Sequence, residues 1–323
     1  MPLIDTHAHI FCWGEDPQEG FLSRRTQRSW LTRLILRLTG LRSEPGETLS
    51  EKILNRTLRQ IDESCFDAVV LLAQDAVYHA SGSRDDSRTH FYVSNDYVLD
   101  LAERHEGVIA GCSINPLRHD ALQELDRCYA RGARLIKMHT AIQGVDPALP
   151  QFDPFYRRAA ELGVVLMFHT GYEHSCTVIS QKMTDPARLE RPLGFGGTVI
   201  AAHCGTCAFF DRESYYPNFI TMMQRHPNLF GDTAVLASLV RFNALKKLSS
   251  ESDDIRARIL HGSDYPLPPS RLPYLARIGL RPPEAANPLD LDLRIKESYG
   301  LGRTCATRIA ELLGMEDAAS VMQ

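Results

Sequence analysis

The chain opens MPLIDTHAHIF (residues 1–11), and the reading of DTHAH at 5–9 decides the fold. Side chains two apart in a β-strand share a face, so an extended start projects His7 and His9 into one small volume, with Asp5 one step deeper. Two neutral imidazoles held that closely suit a divalent metal such as zinc. A strand ending in such a pair needs further ligands from elsewhere in the chain.

Seven more apolar β segments follow: DAVVLLAQ (67–74), VIAGCSIN (108–115), ARLIKMHT (133–140), VVLMFHTG (164–171), TVIAAHCG (198–205), NLFGDTA (228–234) and RILHGSDYP (258–266). From the second to the eighth they recur at roughly thirty-residue intervals, the size of a βα unit. They are short runs of Val, Ile and Leu, as expected of parallel strands buried on both faces. Helical patterns precede several of them, from Leu49 to Cys65 and in DYVLDLAERH, ALQELDRCYARG and PFYRRAAELG. Eight such units predict an α/β single domain over 1–323, a (β/α)8 TIM barrel. A doubly wound open sheet is the alternative, but it places its ligand at one switch point.

The segment ends favour the barrel. His7 and His9 close the first, Lys137 and His139 the fourth, His169 the fifth, His203 the sixth and Asp264 the eighth. Strand C-termini of a barrel face a common mouth, where residues far apart in sequence converge. Each is weak evidence alone: His169 or His203 can be a core histidine, and Asp264 in GSDYP can organise a turn. Together they predict a metal site.

Composition narrows the function classes. A chain of 323 residues with net charge −4 and 24% charged residues is an ordinary globular protein, not a nucleic-acid binder or a disordered chain. No apolar run is long enough to span a membrane, and the start lacks a basic stretch followed by an apolar core, so a cytoplasmic location is expected. Eight scattered cysteines fit reduced thiols. Cys204 and Cys207 have CxxC spacing, but without a second pair they do not define a metal or redox site.

The ordered set DTHAH, RLIKMH, MFHTG, IAAHCG and ILHGSDYP resembles the amidohydrolase superfamily, and within it the amidohydrolase-related branch of hydrolases, lactonases and nonoxidative decarboxylases. The resemblance spans nearly the whole chain. It implies that His7, His9, His169 and Asp264 ligate a catalytic metal, most often zinc. It implies that His203 is a ligand to a second metal or a general acid/base. Lys137 matches the position where some members carry a carbamylated lysine bridging two metals. GYEHSC after His169 and the long segment after the first strand are not general motifs of that superfamily.

The residues themselves leave the reaction open. A buried Lys137 needs a carbamate, a substrate anion or an acid such as Asp5, because an unpaired ammonium there is costly. A metal lowers the pKa of bound water, and Asp264 can orient that water and take its proton while His203 or Lys137 stabilises an oxyanion. Hydrolysis of an ester, lactone or amide of a small molecule is the main expectation. Decarboxylation of a hydroxy-carboxylic acid is the runner-up. A non-catalytic metal barrel is the third reading, disfavoured because closed structural zinc sites are rich in Cys.

Secondary candidates complete the expectation. RRTQRSWLTRLILRLTGLR (24–42), within a basic insertion over 20–45, has Trp30, Leu31, Leu34, Ile35 and Leu38 at helical spacing and Arg33 and Arg37 on another face. Its place after the first strand predicts a lid or a homo-oligomer contact rather than a membrane helix. His139, Glu173, His174, Tyr265 and Trp13 are expected to contact substrate, with ordinary packing as the plain alternative for each. His261 is expected to face the helix layer. PPEAANPLDLDLRIKESYG (282–300) reads as irregular, and 303–314 as a terminal helix.

Overall fold

The computed structural model describes residues 1–41, 46–211, 213–278 and 287–315. Eight parallel strands form its sheet: β1 Ile4–His9, β2 Ala68–Leu72, β3 Val108–Ser113, β4 Leu135–Met138, β5 Val165–His169, β6 Val199–Ala202, β7 Leu229–Asp232 and β8 Ile259–Leu260. They pair in sequence order, each parallel to the next. The last edge returns to the first through Thr6 N to the His261 carbonyl (3.0 Å), Asp264 N to the His7 carbonyl (2.8 Å) and His9 N to the Tyr265 carbonyl (2.7 Å). The architecture is the expected TIM barrel.

Its core follows from the sequence pattern. Ile4, Val70, Leu72, Leu135, Val165, Met167, Ile200, Ala202 and Leu260 form one buried cluster, which Ile309 and Ala310 of the C-terminal helix Arg303–Leu312 join. A second, larger cluster lies between the strands and helices such as Asn95–Arg104, Ala121–Ala130 and Asp153–Glu161. Burial on both faces explains why the strands read as continuous apolar runs.

β1 departs from simple alternation. Its register against β2 shifts between Asp5 and Ala8. Ile4 joins the cluster with Val70 and Leu72, whereas Ala8 joins Val69 and Leu71 in a third cluster. The shift leaves His7 and His9 on the site side while Asp5 turns to hold the loop after β8.

The insertion after β1 holds two helices, Arg24–Gln27 and Trp30–Thr39, each started by a serine whose hydroxyl caps a backbone N–H. Its expected apolar face is not buried as a unit, since Trp30 is 75% and Leu34 40% exposed while Leu36 packs on the core. Residues 42–45 of the expected insertion lie outside the described residues. A short antiparallel pair, Gly20–Leu22 with Phe91–Val93, ties the insertion to the loop after β2 and was not expected.

The expectation of irregular structure after β8 is corrected for residues 288–297. Pro288–Glu297 is a helix with Asn287 capping it and Pro at its start. Its polar residues Asp292 and Lys296 are buried along with its leucines, so its polar face is narrowed to the stripe of Asp290, Arg294 and Glu297. Residues 282–286 of that stretch lie outside the described residues. Among the described residues no helix is long and apolar enough to cross a membrane.

Candidate metal centre

The barrel brings the strand-end residues together. His7 Nε2 lies 3.2 Å from His9 Nε2 and 3.1 Å from Lys137 Nζ. His203 Nε2 lies 3.1 Å from His169 Nδ1. Asp264 Oδ1 lies 3.5 Å from His7 Nε2 and 3.6 Å from His9 Nε2. Donor atoms of His7, His203 and Asp264 all fall within 4.8 Å of one another.

Neighbouring groups decide which ring nitrogens are free. His7 Nδ1 sits 2.8 Å from Asp232 Oδ2, an acceptor, so Nδ1 carries the proton and Nε2 a lone pair. His203 Nδ1 sits 3.1 Å from the Ala234 carbonyl, which leaves Nε2 bare in the same way. Both lone pairs face the mouth, where Lys137 Nζ and His169 Nδ1 meet them and where a cation can take their place. Burial drives the proton affinities of His7, His9, His169 and His203 well below the usual histidine value. Neutral imidazoles with one carboxylate are the nitrogen and oxygen donors a divalent ion such as zinc takes. The residues fit such an ion.

The backbone at the site is unusual. His203, Cys204, Val235 and Asp264 have φ of 64°, 53°, 63° and 63°, the left-handed region that costs non-glycine residues energy. These follow β6, β7 and β8. Asp5 supports the last turn, its Oδ1 accepting from Ser263 N at 2.9 Å and His7 N at 3.1 Å. The Lys296 ammonium, paired with Asp292, donates to the Gly262 carbonyl at 2.6 Å.

Lys137 is fully buried, and burial pulls it down to about 8. No carboxylate oxygen lies within 4 Å of its ammonium among the described ion pairs, and Asp5 is engaged with β8. The structural ion pair with Asp5 is therefore not formed. Asp264 is pushed up to about 7 by burial, against the opposing pull of Lys137.

The remaining expectations divide. His139 and Glu173 are at the mouth: His139 stacks on His169 with ring centroids 3.9 Å apart and bonds Glu173 through Nε2 at 3.0 Å. His174 is not in the group. Its loop turns it outward to Asp211 at 2.9 Å and against Phe210. Tyr265 packs with Leu3, Leu71 and Leu293 in the helix layer, because it alternates with Asp264. Trp13 packs on the outer core, its N–H donating to Ser50 Oγ. His261 faces Phe66, stacked at 5.1 Å, as expected. Cys204 donates its thiol to the Asp232 carbonyl, and Cys207 is free.

Sequence reasoning missed Asp232 and Arg241. Asp232 ends β7 and was open to the strand-end argument that found the others. Arg241 is 7% exposed and joins three mouth loops, donating to the Thr206 carbonyl and hydroxyl and to the Tyr172 carbonyl. No local pattern marks it.

An eight-stranded barrel with imidazoles and a carboxylate converging at its strand ends is the architecture of a metal-dependent enzyme. Residues 4–299 match the amidohydrolase family model, and the chain belongs to that family. Among curated proteins, none matches the sequence significantly. Among solved structures, a TIM-barrel protein of uncharacterised function from Bordetella bronchiseptica superimposes with TM-score 0.62 at 17% identity, over 97% of this chain and 100% of that one. A candidate 2-pyrone-4,6-dicarboxylic acid hydrolase from Pseudomonas putida gives 0.60 at 16%, over 98% of each chain. The 2,6-dihydroxybenzoate decarboxylase from Rhizobium gives 0.54 at 14%, over 98% of this chain and 99% of that one. At these identities the likeness is one of fold.

Proposed function

We propose that the chain is a metal-dependent hydrolase acting on an ester, lactone or amide of a small molecule. His7, His9, His169, His203 and Asp264 would hold the divalent ion, and zinc is the ion their nitrogen-rich set suits best. The observation that carries this reading is the pair of outer contacts, Asp232 on His7 Nδ1 and the Ala234 carbonyl on His203 Nδ1, which turn two bare nitrogens toward one volume.

Such an ion supplies Lewis acidity toward a carbonyl oxygen and makes a nearby water more acidic. Asp264, whose Oδ1 lies 3.5 Å from His7 Nε2, is suited to accept a proton from water and return it to the leaving group. Lys137, 3.1 Å from His7 Nε2, is suited either to carbamylation or to donating toward a developing oxyanion. The insertion after β1 is read as a lid or subunit contact because Trp30 and Leu34 stand exposed on it. Free thiols at all eight cysteines agree with a cytoplasmic location.

One observation favours the decarboxylase reading. Arg241 is buried and bonds only backbone carbonyls and a hydroxyl, with no carboxylate within 4 Å among the described ion pairs, so its charge is available to a substrate carboxylate. A screen of lactones, esters and amides against aromatic hydroxy-acids separates the two. Hydrolytic product supports the proposal. Carbon dioxide release without hydrolytic product overturns it.

A further inference from the structure

A cavity of about 200 Å³ lies beside the mouth, between the loops that follow β6 and β7. Thr206, Asp211, Arg241, Asn243 and Lys247 are among the residues that line it. Thr206 joins its wall to the strand ends, donating its hydroxyl to the His203 carbonyl at 2.7 Å while accepting from Arg241.

Two cations and one carboxylate meet at this cavity, and they do not pair. Arg241 donates to the Thr206 carbonyl and hydroxyl and to the Tyr172 carbonyl, all neutral acceptors, and its Nε makes no hydrogen bond among the described residues. Neither Arg241 nor Lys247 has an ion-pair partner among the described residues. Asp211 is already engaged, its two oxygens 2.9 and 3.1 Å from His174 Nε2 and one of them accepting from Ala208 N at 2.7 Å. Arg241 is 7% exposed, and a buried charge without a counterion is costly. An anion in the cavity offsets that cost.

The backbone adds to the same field. The helix Phe242–Ser249 begins after Arg241, and no side chain caps its first N–H groups. Those groups have no acceptor within the helix and carry partial positive charge. Asn243 and Lys247 are four residues apart and share a face, and a long helical side chain leans back toward the N-terminus of its helix. The ammonium is thereby drawn toward the free N–H groups.

We infer that this cavity is an oxyanion subsite, in which a carboxylate or phosphate group is held by Arg241, Lys247 and the first turn of the helix Phe242–Ser249. A guanidinium fork matches the geometry of both groups, and an ammonium and helix N–H groups complete the set of donors. None of these groups belongs to the proposed metal centre, so the subsite stands apart from that reading.

The test is calorimetric titration of inorganic phosphate, and separately of acetate, at constant ionic strength. The proteins are wild type, Lys247→Glu, Lys246→Glu and His7→Asn. Lys246 is exposed on the same helix and does not line the cavity, so its variant makes the same change in net charge without entering the site. Saturable binding of at least one anion is expected in wild type, Lys246→Glu and His7→Asn, with binding weakened roughly tenfold or more in Lys247→Glu. The anion bound more tightly identifies the group the site takes. No binding to wild type, binding unchanged in Lys247→Glu, or an equal loss in Lys246→Glu overturns the inference. Binding kept in Lys247→Glu but lost in His7→Asn puts the anion on the metal centre and overturns it as well. Wild type that holds no metal, yet titrates as expected, sinks the metal reading and leaves the subsite standing.

Discussion

His7 Nδ1 and Asp232 Oδ2 meet at 2.8 Å, both fully buried, across 225 residues of sequence. The other oxygen of Asp232 accepts from His203 N at 2.8 Å and Ala234 N at 3.1 Å. One carboxylate on β7 therefore orients a ring from β1 and the backbone that carries His203 after β6.

That relationship predicts the behaviour of Asp232→Asn. The amide has one accepting and one donating end. Facing its oxygen to His7 turns its NH2 toward the N–H groups of His203 and Ala234, and the reverse orientation demands the wrong His7 tautomer. Zinc affinity should fall about 10- to 100-fold, with stability lowered by roughly 1–3 kcal/mol for the unsatisfied buried groups. Chelator competition and urea unfolding measure the two, and unchanged affinity would contradict the orienting role.

Gly171 carries a second prediction. It has φ +83°, and a Cβ there would land inside the Thr206 carbonyl, beside the loop that follows His203. Gly171→Ala pays the positive-φ strain of about 1 kcal/mol and displaces the β6 loop as well. A lower melting temperature together with weaker zinc binding is expected. Normal zinc binding in a destabilised variant would show that the loop is not coupled to the site.

His261 predicts a pH effect outside the metal donors. It is fully buried, neither ring nitrogen makes a hydrogen bond among the described residues, with Asp292 Oδ2 3.8 Å from Nε2, and burial puts its proton affinity well below the usual histidine value. The unfolded chain takes up a proton below about pH 6.5 while the folded chain resists. Stability is therefore lost as pH falls, with a slope of up to about 1.4 kcal/mol per pH unit from this group. His261→Leu should flatten the difference between urea midpoints at pH 6.5 and 5.5, and an unchanged slope would refute the assignment.

Arg241 tests the loop architecture. Arg241→Gln removes the charge and most of the donors that join Thr206 to Tyr172. Hydrogen bonds to a charged group contribute roughly 1.5–3 kcal/mol each, so a loss in that range is expected on chemical unfolding. Faster proteolysis of the mouth loops should accompany it. Unaltered protease resistance would show that the loops hold without it.

The barrel was legible because a strand covered on both faces must be apolar throughout, and the βα spacing is set by helix length. The donors were legible because polar residues ending such strands have few places to go but the mouth. Asp232 obeys the same rule, yet FGDT looks like a strand running into a turn, and only the chain's return from β1 supplies its partner. Glu173 and His174 are adjacent and alike in sequence, and the loop path, pinned by Gln181, sends one inward and the other to Asp211. Pro288–Glu297 escaped because two of its charged residues, Asp292 and Lys296, are buried, Lys296 against the β8 turn, which blurs the apolar periodicity that identifies a helix.

The most direct test is divalent metal content per chain, by elemental analysis of protein purified without chelators, for wild type, His7→Asn and Lys137→Ala. The compact triangle of His7, His203 and Asp264 donors predicts about one ion in wild type and none in His7→Asn. Lys137→Ala should keep its ion; two ions in wild type falling to one or none would instead assign Lys137 to a carbamate bridge. A wild-type protein that is active without bound metal, or that keeps its ion after His7→Asn, would contradict the account.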